Sequence, residues 1–205
     1  MLFATRRFDR VFDFESKTVD GLRMPYCLHQ EDFAQALGIK SADKYEKNDE
    51  AYLRKMFYLI QKHSSNPLDD SLKLWKRTVF NYLIGNTDNH IKNSSLVYSK
   101  DLSSVHLAPL YDVVCTKLYE SSTDEMSVSI NGQRNINQIT REDFEKEAEI
   151  CGLGKKVAMN IYDELYANLT PALQDSAKEL VAAGFPEAVD MAGKIAVKIA
   201  DAMSH

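Results

Sequence analysis

Three side chains that suit a metal or a phosphate lie close together in this 205-residue chain. The segment Gly85–Asn93 reads GNTDNHIKN, and the segment Ala108–Asp112 reads APLYD. Mg²⁺ prefers an octahedron of oxygens and keeps several waters, so the protein need supply only one carboxylate and one amide oxygen when phosphates supply others. Asn93 and Asp112 have these chemical types, and we predict that they form a metal site.

A carboxylate beside such a metal, but not bound to it, can accept the proton of an attacking hydroxyl group. Asp88 stands five residues before Asn93 and is our candidate for this catalytic base. The order of an aspartate, an asparagine five residues later and a further aspartate is that of a kinase catalytic loop. Lys92 could place a positive charge against a transferred phosphoryl group, and His90 could contact a phosphate or brace the loop. The pattern favours a phosphotransferase.

The same residues also have a purely structural interpretation. Asn, Asp and Thr side chains hydrogen-bond nearby backbone groups, so the string Asn86–Asn89 after a helix is also typical of a capped turn. Two short strands are predicted between the loop and Asp112, at Ser94–Tyr98 and Val105–Ala108. A hairpin there would return Asp112 to the loop, and this combination favours catalysis over a simple turn.

The run Asn81–Asp112 resembles the C-terminal lobe of the HipA family, which are bacterial serine/threonine kinases and the toxins of type II toxin–antitoxin systems. Arg6–Arg10 resembles the family's hinge strand, and His29–Gly38 resembles the helix that follows it. The resemblance covers most of the chain. It implies a mainly α fold with a few short β-strands, namely a HipA-like protein-kinase C-terminal lobe.

The resemblance implies a role for individual residues of this sequence. Asp88 would be the catalytic base, and the cofactors would be ATP and Mg²⁺, with Asn93 and Asp112 at the metal. Backbone contacts to adenine would come from the hinge. The residues implied in nucleotide binding are Arg6, Arg7, Phe8, His90, Ile91, Lys92, Asn93, Tyr111 and Asp112.

The resemblance also implies partners. The γ-phosphoryl group of ATP would pass to a serine or threonine hydroxyl of a protein substrate, and aminoacyl-tRNA synthetases are among the family's targets. A DNA-binding antitoxin would be the regulatory partner. Family members carry an N-terminal lobe with a phosphate-covering loop and a nucleotide lysine before the hinge, and neither precedes Arg6 here. The expectation is therefore a site that is incomplete alone, and the chain could act with an N-terminal lobe supplied by another polypeptide.

Two other functions remain open at this point. The chain could be a catalytically inactive remnant that binds an antitoxin or a substrate protein. It could also be a Mg²⁺-dependent phosphoesterase that uses Asp88, Asn93 and Asp112, but the hinge-like segment Arg6–Asp9 would then have no role. The only G-x-G sequence, Gly152–Gly154, lacks the third glycine of a phosphate-binding loop.

The composition indicates which partners and which cellular location to expect. The net charge of −5 argues against a broad nucleic-acid surface, so no direct nucleic-acid binding is expected. No apolar run approaches the length of about 20 residues that spans a bilayer, so we expect no membrane association and a cytoplasmic location. Cys27, Cys115 and Cys151 are scattered without metal-site spacing and are predicted to be reduced thiols.

The chain is predicted to form one domain, with a hinge strand and connection at 1–25, a catalytic-loop core at 26–138 and a helical stack at 139–205. A turn is predicted at Gly21–Pro25, and Met126–Ile130 is predicted as a strand within a mobile loop. Thr140 is a predicted helix N-cap, and Cys151–Gly152 the end of that helix. The other predicted elements are a strand at Leu2–Phe12 and helices at Ala51–Lys62, Leu72–Ile84, Lys155–Asn168, Pro171–Ala183 and Pro186–Met203.

Overall fold

The computed structural model describes residues 7–14, 16–47 and 50–202, with side chains up to residue 200. Within these ranges the protein is mainly helical with short strands, as the sequence predicts. The strands are β1 (Arg10–Val11), β2 (Thr18–Val19), β3 (Leu22–Arg23), β4 (Tyr26–Cys27), β5 (Gln30–Asp32), β6 (Ser95–Tyr98), β7 (Val105–Leu107), β8 (Glu125–Ile130) and β9 (Gln133–Asn135). The helices are α1 (Phe33–Ala36), α2 (Tyr52–His63), α3 (Pro67–Leu83), α4 (Arg141–Ile150), α5 (Lys155–Ala182) and α6 (Ala188–Ala202).

Helices α2 and α3 pack against each other and form the centre of the core, which confirms the two helices predicted from apolar periodicity. Helix α3 begins five residues earlier than the predicted start at Leu72, because Pro67 at its first position has a φ angle suited to a helix start. Asp69 and Asp70 follow in the first turn, where negative charge complements the helix dipole. The helix then runs directly to the predicted catalytic loop.

An aromatic cluster fixes α3 to the C-terminal helices. Phe144 of α4 is fully buried, and its ring centroid lies 5.8 Å from that of Trp75, 5.0 Å from that of Tyr82 and 5.1 Å from that of Tyr162. Two polar atoms of the cluster are satisfied by carbonyls: Trp75 Nε1 donates to Ala158 at 2.9 Å, and the Tyr82 hydroxyl donates to the Ile139 carbonyl at 2.9 Å. Because buried polar groups without partners are costly, these bonds select one arrangement of the helices.

Strand β6 is the centre of a three-stranded antiparallel sheet in the order β5-β6-β7. This confirms the two strands predicted after the loop but corrects the helix predicted over His29–Gly38. Gln30–Asp32 pairs with β6 instead, and only Phe33–Ala36 is helical. Asp32 ends the strand and caps α1, since its side chain accepts from the Gln35 backbone N–H at 2.8 Å.

The sequence prediction is wrong at one point in the C-terminal helices. The sequence predicts a helix end before Pro171, but α5 continues through this proline to Ala182. Proline removes one helical hydrogen bond and costs about 3 kcal/mol in a helix interior. Burial on both sides of Pro171 offsets that cost, because Leu169 and Ala177 are both buried and α6 packs along α5.

The boundaries of α4 agree with the prediction. Thr140 accepts from the backbone of Asp143, whose side chain bonds back to the Thr140 N–H at 2.9 Å, which completes a capping box. Cys151 is the C-cap, and Gly152 has the positive φ of +74° that follows many helix ends. Helix α6 starts two residues after the predicted start at Pro186.

The segment predicted as a mobile loop around Met126–Ile130 is instead a hairpin with a buried strand. The strand is present, but its last five residues are all buried. Asn131 and Gly132 turn the chain with φ angles of +51° and +78°, as a two-residue hairpin turn requires. The polar residues on either side of this strand favour an exposed loop, but the apolar residues Met126, Val128 and Ile130 lie in the core.

The predicted N-terminal strand Leu2–Phe12 lies partly outside the described residues. Among those described, only Arg10–Val11 is a strand, and it pairs with β4. The turn predicted at Gly21–Pro25 starts at Asp20, with φ angles of +48° at Asp20 and +78° at Gly21, so Leu22–Arg23 forms a strand paired with β2. No helix in the described part of the chain is long and apolar enough to cross a membrane.

One buried carboxylate links the start of α2 to β8, and its removal is expected to destabilise the fold. Glu46 has no exposed surface and accepts hydrogen bonds from the backbone N–H groups of Ala51, Tyr52 and Ser129 and from the Ser129 hydroxyl. Glu46→Ala would leave these donors without an acceptor, so we expect a loss of about 3 kcal/mol or more in the free energy of unfolding. Urea unfolding monitored by circular dichroism would measure it.

The control is Glu50→Ala, because Glu50 is an exposed glutamate four residues away. That change is expected to alter stability by less than about 0.5 kcal/mol. Equal stabilities of the two variants would contradict a structural role for the Glu46 carboxylate.

Candidate active site

The predicted catalytic loop starts from a sharp and well-defined helix end. Gly85 has a φ angle of +71°, and its N–H donates to the Tyr82 carbonyl at 3.0 Å, while the N–H of Asn86 donates to the Asn81 carbonyl at 2.8 Å. This pair of bonds is a Schellman motif. A Cβ atom at Gly85 would lie 2.9 Å from the Cγ atom of Lys117, so glycine is favoured by both the backbone angle and the lack of space.

Two neighbouring segments fix the residues just before Asp88. The Thr116 hydroxyl donates to the Gly85 carbonyl at 2.9 Å and lies 2.8 Å from the Thr87 hydroxyl. On the other side, the Thr87 carbonyl accepts from Ser127, from its N–H at 3.0 Å and from its hydroxyl at 2.6 Å. Asp88 follows this rigid segment and is exposed, so its carboxylate is presented to solvent on a fixed backbone.

The loop then closes on itself and orients Asn93. The N–H of His90 and the Nδ2 atom of Asn93 both donate to the Asp88 carbonyl, at 2.8 and 3.0 Å, and the N–H of Asn93 donates to the His90 carbonyl at 2.8 Å. Asn93 is buried. Because its amide nitrogen is committed to Asp88, its amide oxygen is the atom left for a cation.

Asp112 returns to the loop through the predicted hairpin. Its carbonyl lies 3.5 Å from Nδ2 of Asn86, and its backbone has a positive φ of +55°. Burial and then the Lys44 ammonium lower the pKa of His90, whereas the charges of Asp88 and Asp112 both raise it. The backbone of Asp112 thus adjoins the start of the catalytic loop, and the convergence of the Asp88 and Asp112 carboxylates on one metal stays a prediction.

The donor set fits Mg²⁺ in its chemistry. Asn93 supplies an amide group within the loop, and Asp112 supplies a carboxylate on a residue whose backbone carbonyl lies beside Asn86 of the same loop. Among the described residues, no group of three or more His, Cys, Asp and Glu side chains is arranged to hold a metal ion. A small set of protein ligands is typical of Mg²⁺ sites in which phosphates and waters complete the octahedron.

An open cleft of about 810 Å³ lies beside the loop. This volume lies within the range of small-molecule sites, about 300 to 1,000 Å³. Predicted nucleotide residues form part of its wall, namely Arg7, Phe8, Lys92, Tyr111 and Asp112. The cleft is also lined by carboxylates that the sequence did not single out, Asp9 and Asp32.

The hinge forms one end of this cleft. Arg7 forms a bidentate ion pair with Asp9, with distances of 2.8 and 2.6 Å, and this pair lowers the pKa of the Asp9 carboxyl group. The ring of Phe8 stacks on that of Tyr111 at a centroid distance of 6.1 Å. The Tyr111 hydroxyl donates to the Lys92 carbonyl at 2.9 Å, which ties the hinge side to the catalytic loop. Arg6 lies outside the described residues.

The predicted nucleotide residues of the catalytic loop differ in which of their atoms could contact a ligand in this cleft. His90 is buried and lies with Nε2 2.9 Å from the Lys44 ammonium. The Ile91 side chain is fully buried in the core, so only its backbone could meet a nucleotide. Lys92 lines the cleft, donates to the Ser41 hydroxyl at 3.1 Å and lies 3.8 Å from an oxygen of Asp32.

One contact to the candidate base has no signal in the sequence. The Tyr45 hydroxyl donates to Oδ1 of Asp88 at 2.8 Å, and its ring packs edge-on against His90. Tyr45 stands 43 residues before Asp88, in a segment without a motif. Only the tertiary fold brings the two together, so no spacing rule could have found the pair.

Comparison with known proteins identifies the family of this chain. The model of the family described as the HipA-like C-terminal domain matches residues 1–173. A Sinorhizobium fredii protein named provisionally as a kinase, Y4mE, is 30% identical over 83% of this chain and 39% of its own length. The serine/threonine-protein kinase toxin HipA of Shewanella oneidensis is 27% identical over 69% of this chain and 34% of its own length.

A solved structure supports the fold. A chain in the complex of HipA, HipB and operator DNA from Shewanella oneidensis MR-1 superposes with a TM-score of 0.72 at 21% identity, over 97% of this chain and 46% of that one. The curated relatives are much longer, since the chain spans between 34% and 42% of their lengths. Because the family model matches most of the chain, the protein belongs to the HipA-like C-terminal domain family and corresponds to the C-terminal part of its relatives.

Proposed function

We propose that this chain provides the catalytic-loop half of a serine/threonine protein kinase of the toxin–antitoxin type, with ATP and Mg²⁺ as cofactors. One observation carries the proposal: the exposed Asp88 carboxylate stands on a rigid loop, and Lys92 of the same loop lines a cleft of nucleotide size together with Asp112. The kinase names of the relatives support it.

The roles of the residues follow from their positions. Asn93 and Asp112 would hold Mg²⁺, which neutralises the charge of the transferred phosphoryl group. Arg7, Phe8 and Tyr111 would form the wall against the nucleotide at the hinge end of the cleft. Lys92 would contribute positive charge near the phosphates. His90 and Ile91 would act through the loop backbone, because both side chains are buried.

The proposed reaction needs no protein nucleophile. Asp88 accepts the proton of a serine or threonine hydroxyl as the oxygen bonds to the γ-phosphorus, and ADP leaves with the electrons of the broken bond. Asp88 suits this role because its carboxylate is exposed while its backbone carbonyl is held by His90 and Asn93. Aminoacyl-tRNA synthetases are the substrate class that we propose, by analogy with the family.

The remaining parts of the proposal concern partners and organisation. We propose a DNA-binding antitoxin as partner, since the solved complex contains HipB and operator DNA together with HipA. We also propose that residues 1–205 form one lobe, that a nucleotide-covering lobe joins it in cis or as a second chain, and that the kinase acts in the cytoplasm. The chain itself would not contact DNA, because its net charge is −5.

The test is a transfer assay. The chain is combined with a HipA-family N-terminal lobe and incubated with Mg²⁺, radiolabelled [γ-³²P]ATP and a panel of purified aminoacyl-tRNA synthetases. We expect label on serine or threonine, located by mass spectrometry. Hydrolysis of phosphomonoesters without any transfer from ATP would contradict the proposal and favour a phosphoesterase.

Without that lobe, the chain is expected to bind ATP–Mg²⁺ only weakly. Among the described residues, the two cationic side chains in the cleft wall are already paired, Arg7 with Asp9 and Lys92 with Asp32. Asp112 adds a further negative charge to the same wall. Isothermal titration calorimetry should give a dissociation constant well above about 1 μM, which corresponds to a binding free energy of about −8 kcal/mol.

Titrations with and without Mg²⁺ provide the control for this prediction. Mg²⁺ should strengthen binding, because it lowers the charge of ATP and adds ligands at Asn93 and Asp112. Submicromolar binding by the chain alone, or binding that is equal without Mg²⁺, would contradict the charge argument.

A further inference from the structure

A short segment outside the predicted site crosses the catalytic loop. We name the residues 41–46 the strap. Its start contacts the loop through Ser41, whose hydroxyl accepts from the Lys92 ammonium at 3.1 Å. Its middle is held by Tyr52, whose hydroxyl donates to the Asp43 carbonyl at 2.8 Å. Its end is the buried Glu46, so the strap is attached to the body of the protein along its length.

The strap and the catalytic loop share one support. Strand β8 binds both, because the Ser127 carbonyl accepts from the Glu46 N–H at 2.9 Å while the Ser127 N–H donates to the Thr87 carbonyl at 3.0 Å. Thr87 and Glu46 immediately flank Asp88 and Tyr45 in the sequence. The distance between the candidate base and Tyr45 is therefore set by a strand in the core rather than by surface side chains.

Tyr45 and Lys44 both contact the loop. The Tyr45 hydroxyl donates to Oδ1 of Asp88 at 2.8 Å, and its ring meets that of His90 edge-on, with centroids 5.3 Å apart. The Lys44 ammonium lies 4.8 Å from the centre of the Tyr45 ring and 2.9 Å from Nε2 of His90. The tyrosine is therefore held by its ring as well as by its hydroxyl.

We propose that Tyr45 is a positioning residue, which holds the Asp88 carboxylate in the orientation needed to receive a proton. This inference rests on the proposed kinase function. An exposed aspartate would otherwise sample several rotamers, and each catalytic group must be held close to its productive geometry. Because Tyr45 binds Oδ1, the second oxygen, Oδ2, is left to face the acceptor hydroxyl.

An alternative is that Tyr45 occupies the place of the acceptor hydroxyl and must move away before reaction. The attachments of the strap argue against such a gate, since Glu46 is buried and makes four hydrogen bonds. A movable segment would be expected to have few buried contacts. The two interpretations predict opposite effects of removing the hydroxyl group.

The test is Tyr45→Phe in the transfer assay described above, with Tyr58→Phe as the matched control. Tyr58 is an exposed tyrosine on α2, so the control makes the same chemical change elsewhere. For Tyr45→Phe we expect kcat to fall about tenfold, the equivalent of one lost hydrogen bond in the transition state, with the KM for ATP unchanged. A crystal structure of the chain should also show the two oxygens within hydrogen-bonding distance.

Each result decides the matter. Unchanged kcat in Tyr45→Phe, or a fall accompanied by a higher KM for ATP, would overturn positioning, and a rise in kcat would establish a gate instead. A crystal structure with the two oxygens more than about 4 Å apart, beyond hydrogen-bonding distance, would overturn it whether or not transfer is observed. A wild-type protein that transfers no phosphate at all would overturn the proposed function and this inference with it, whereas a wild-type protein that transfers phosphate while Tyr45→Phe behaves like Tyr58→Phe would overturn the inference alone.

Discussion

Asp88→Asn is expected to lower the rate of phosphoryl transfer by about 10²- to 10⁴-fold, the usual contribution of a general base. The amide has the shape of the carboxylate but cannot accept the proton of the acceptor hydroxyl. It can still accept the hydrogen bond from Tyr45, and the backbone bonds from His90 and Asn93 do not involve the side chain. Binding of ATP–Mg²⁺ should therefore remain largely intact. Rates in the transfer assay and calorimetric titrations measure the two properties.

The matched control is Asp175→Asn, an identical change at an exposed carboxylate on α5 that pairs only with Lys178 within the described structure. It should leave both the rate and the affinity at the wild-type level. If Asp88→Asn transfers phosphate at the wild-type rate, Asp88 is not the base. If instead the variant loses ATP binding, the Asp88 carboxylate acts on the nucleotide rather than on the acceptor hydroxyl.

The residues of the candidate site could be predicted because their chemistry is local in the sequence. Asp88, Asn93 and Asp112 have types and spacing that require only a helix end and one hairpin between them, and both are present. The predicted helix end before Gly85 agrees with the structure, where Gly85 has the positive φ angle that strongly favours glycine. The helices α2 and α3 followed from their apolar periodicity.

The errors arose where tertiary contacts outweighed local preference. Pro171 normally ends a helix, but packing of α6 along α5 keeps both halves helical. Gln30–Asp32 was predicted as part of a helix and became a strand, because the edge of β6 was available for pairing. The contact between Tyr45 and Asp88 could not be predicted for the same reason, because it depends on the buried carboxylate of Glu46 and on β8. No local pattern encodes such a contact.

Asp112→Asn is expected to weaken both Mg²⁺-dependent ATP binding and phosphoryl transfer. An amide oxygen carries no net charge, so it would attract the cation less strongly than a carboxylate does. The fold should tolerate the change, because asparagine readily adopts the positive φ angle of +55° found at this position. We expect at least a tenfold rise in the dissociation constant measured with Mg²⁺, about 1.4 kcal/mol, and little change without it.

Asp32→Asn is the control that separates a metal ligand from a general charge effect. Asp32 lines the same cleft but acts as the N-cap of α1, where asparagine is an equally good residue. Removing this charge should leave the Mg²⁺ dependence of ATP binding as it is, or strengthen binding slightly by reducing repulsion of the phosphates. If Asp112→Asn binds ATP–Mg²⁺ like the wild type, or if both variants lose Mg²⁺ dependence equally, Asp112 is not the metal ligand. The division of roles between Asp88 and Asp112 would then have to be abandoned.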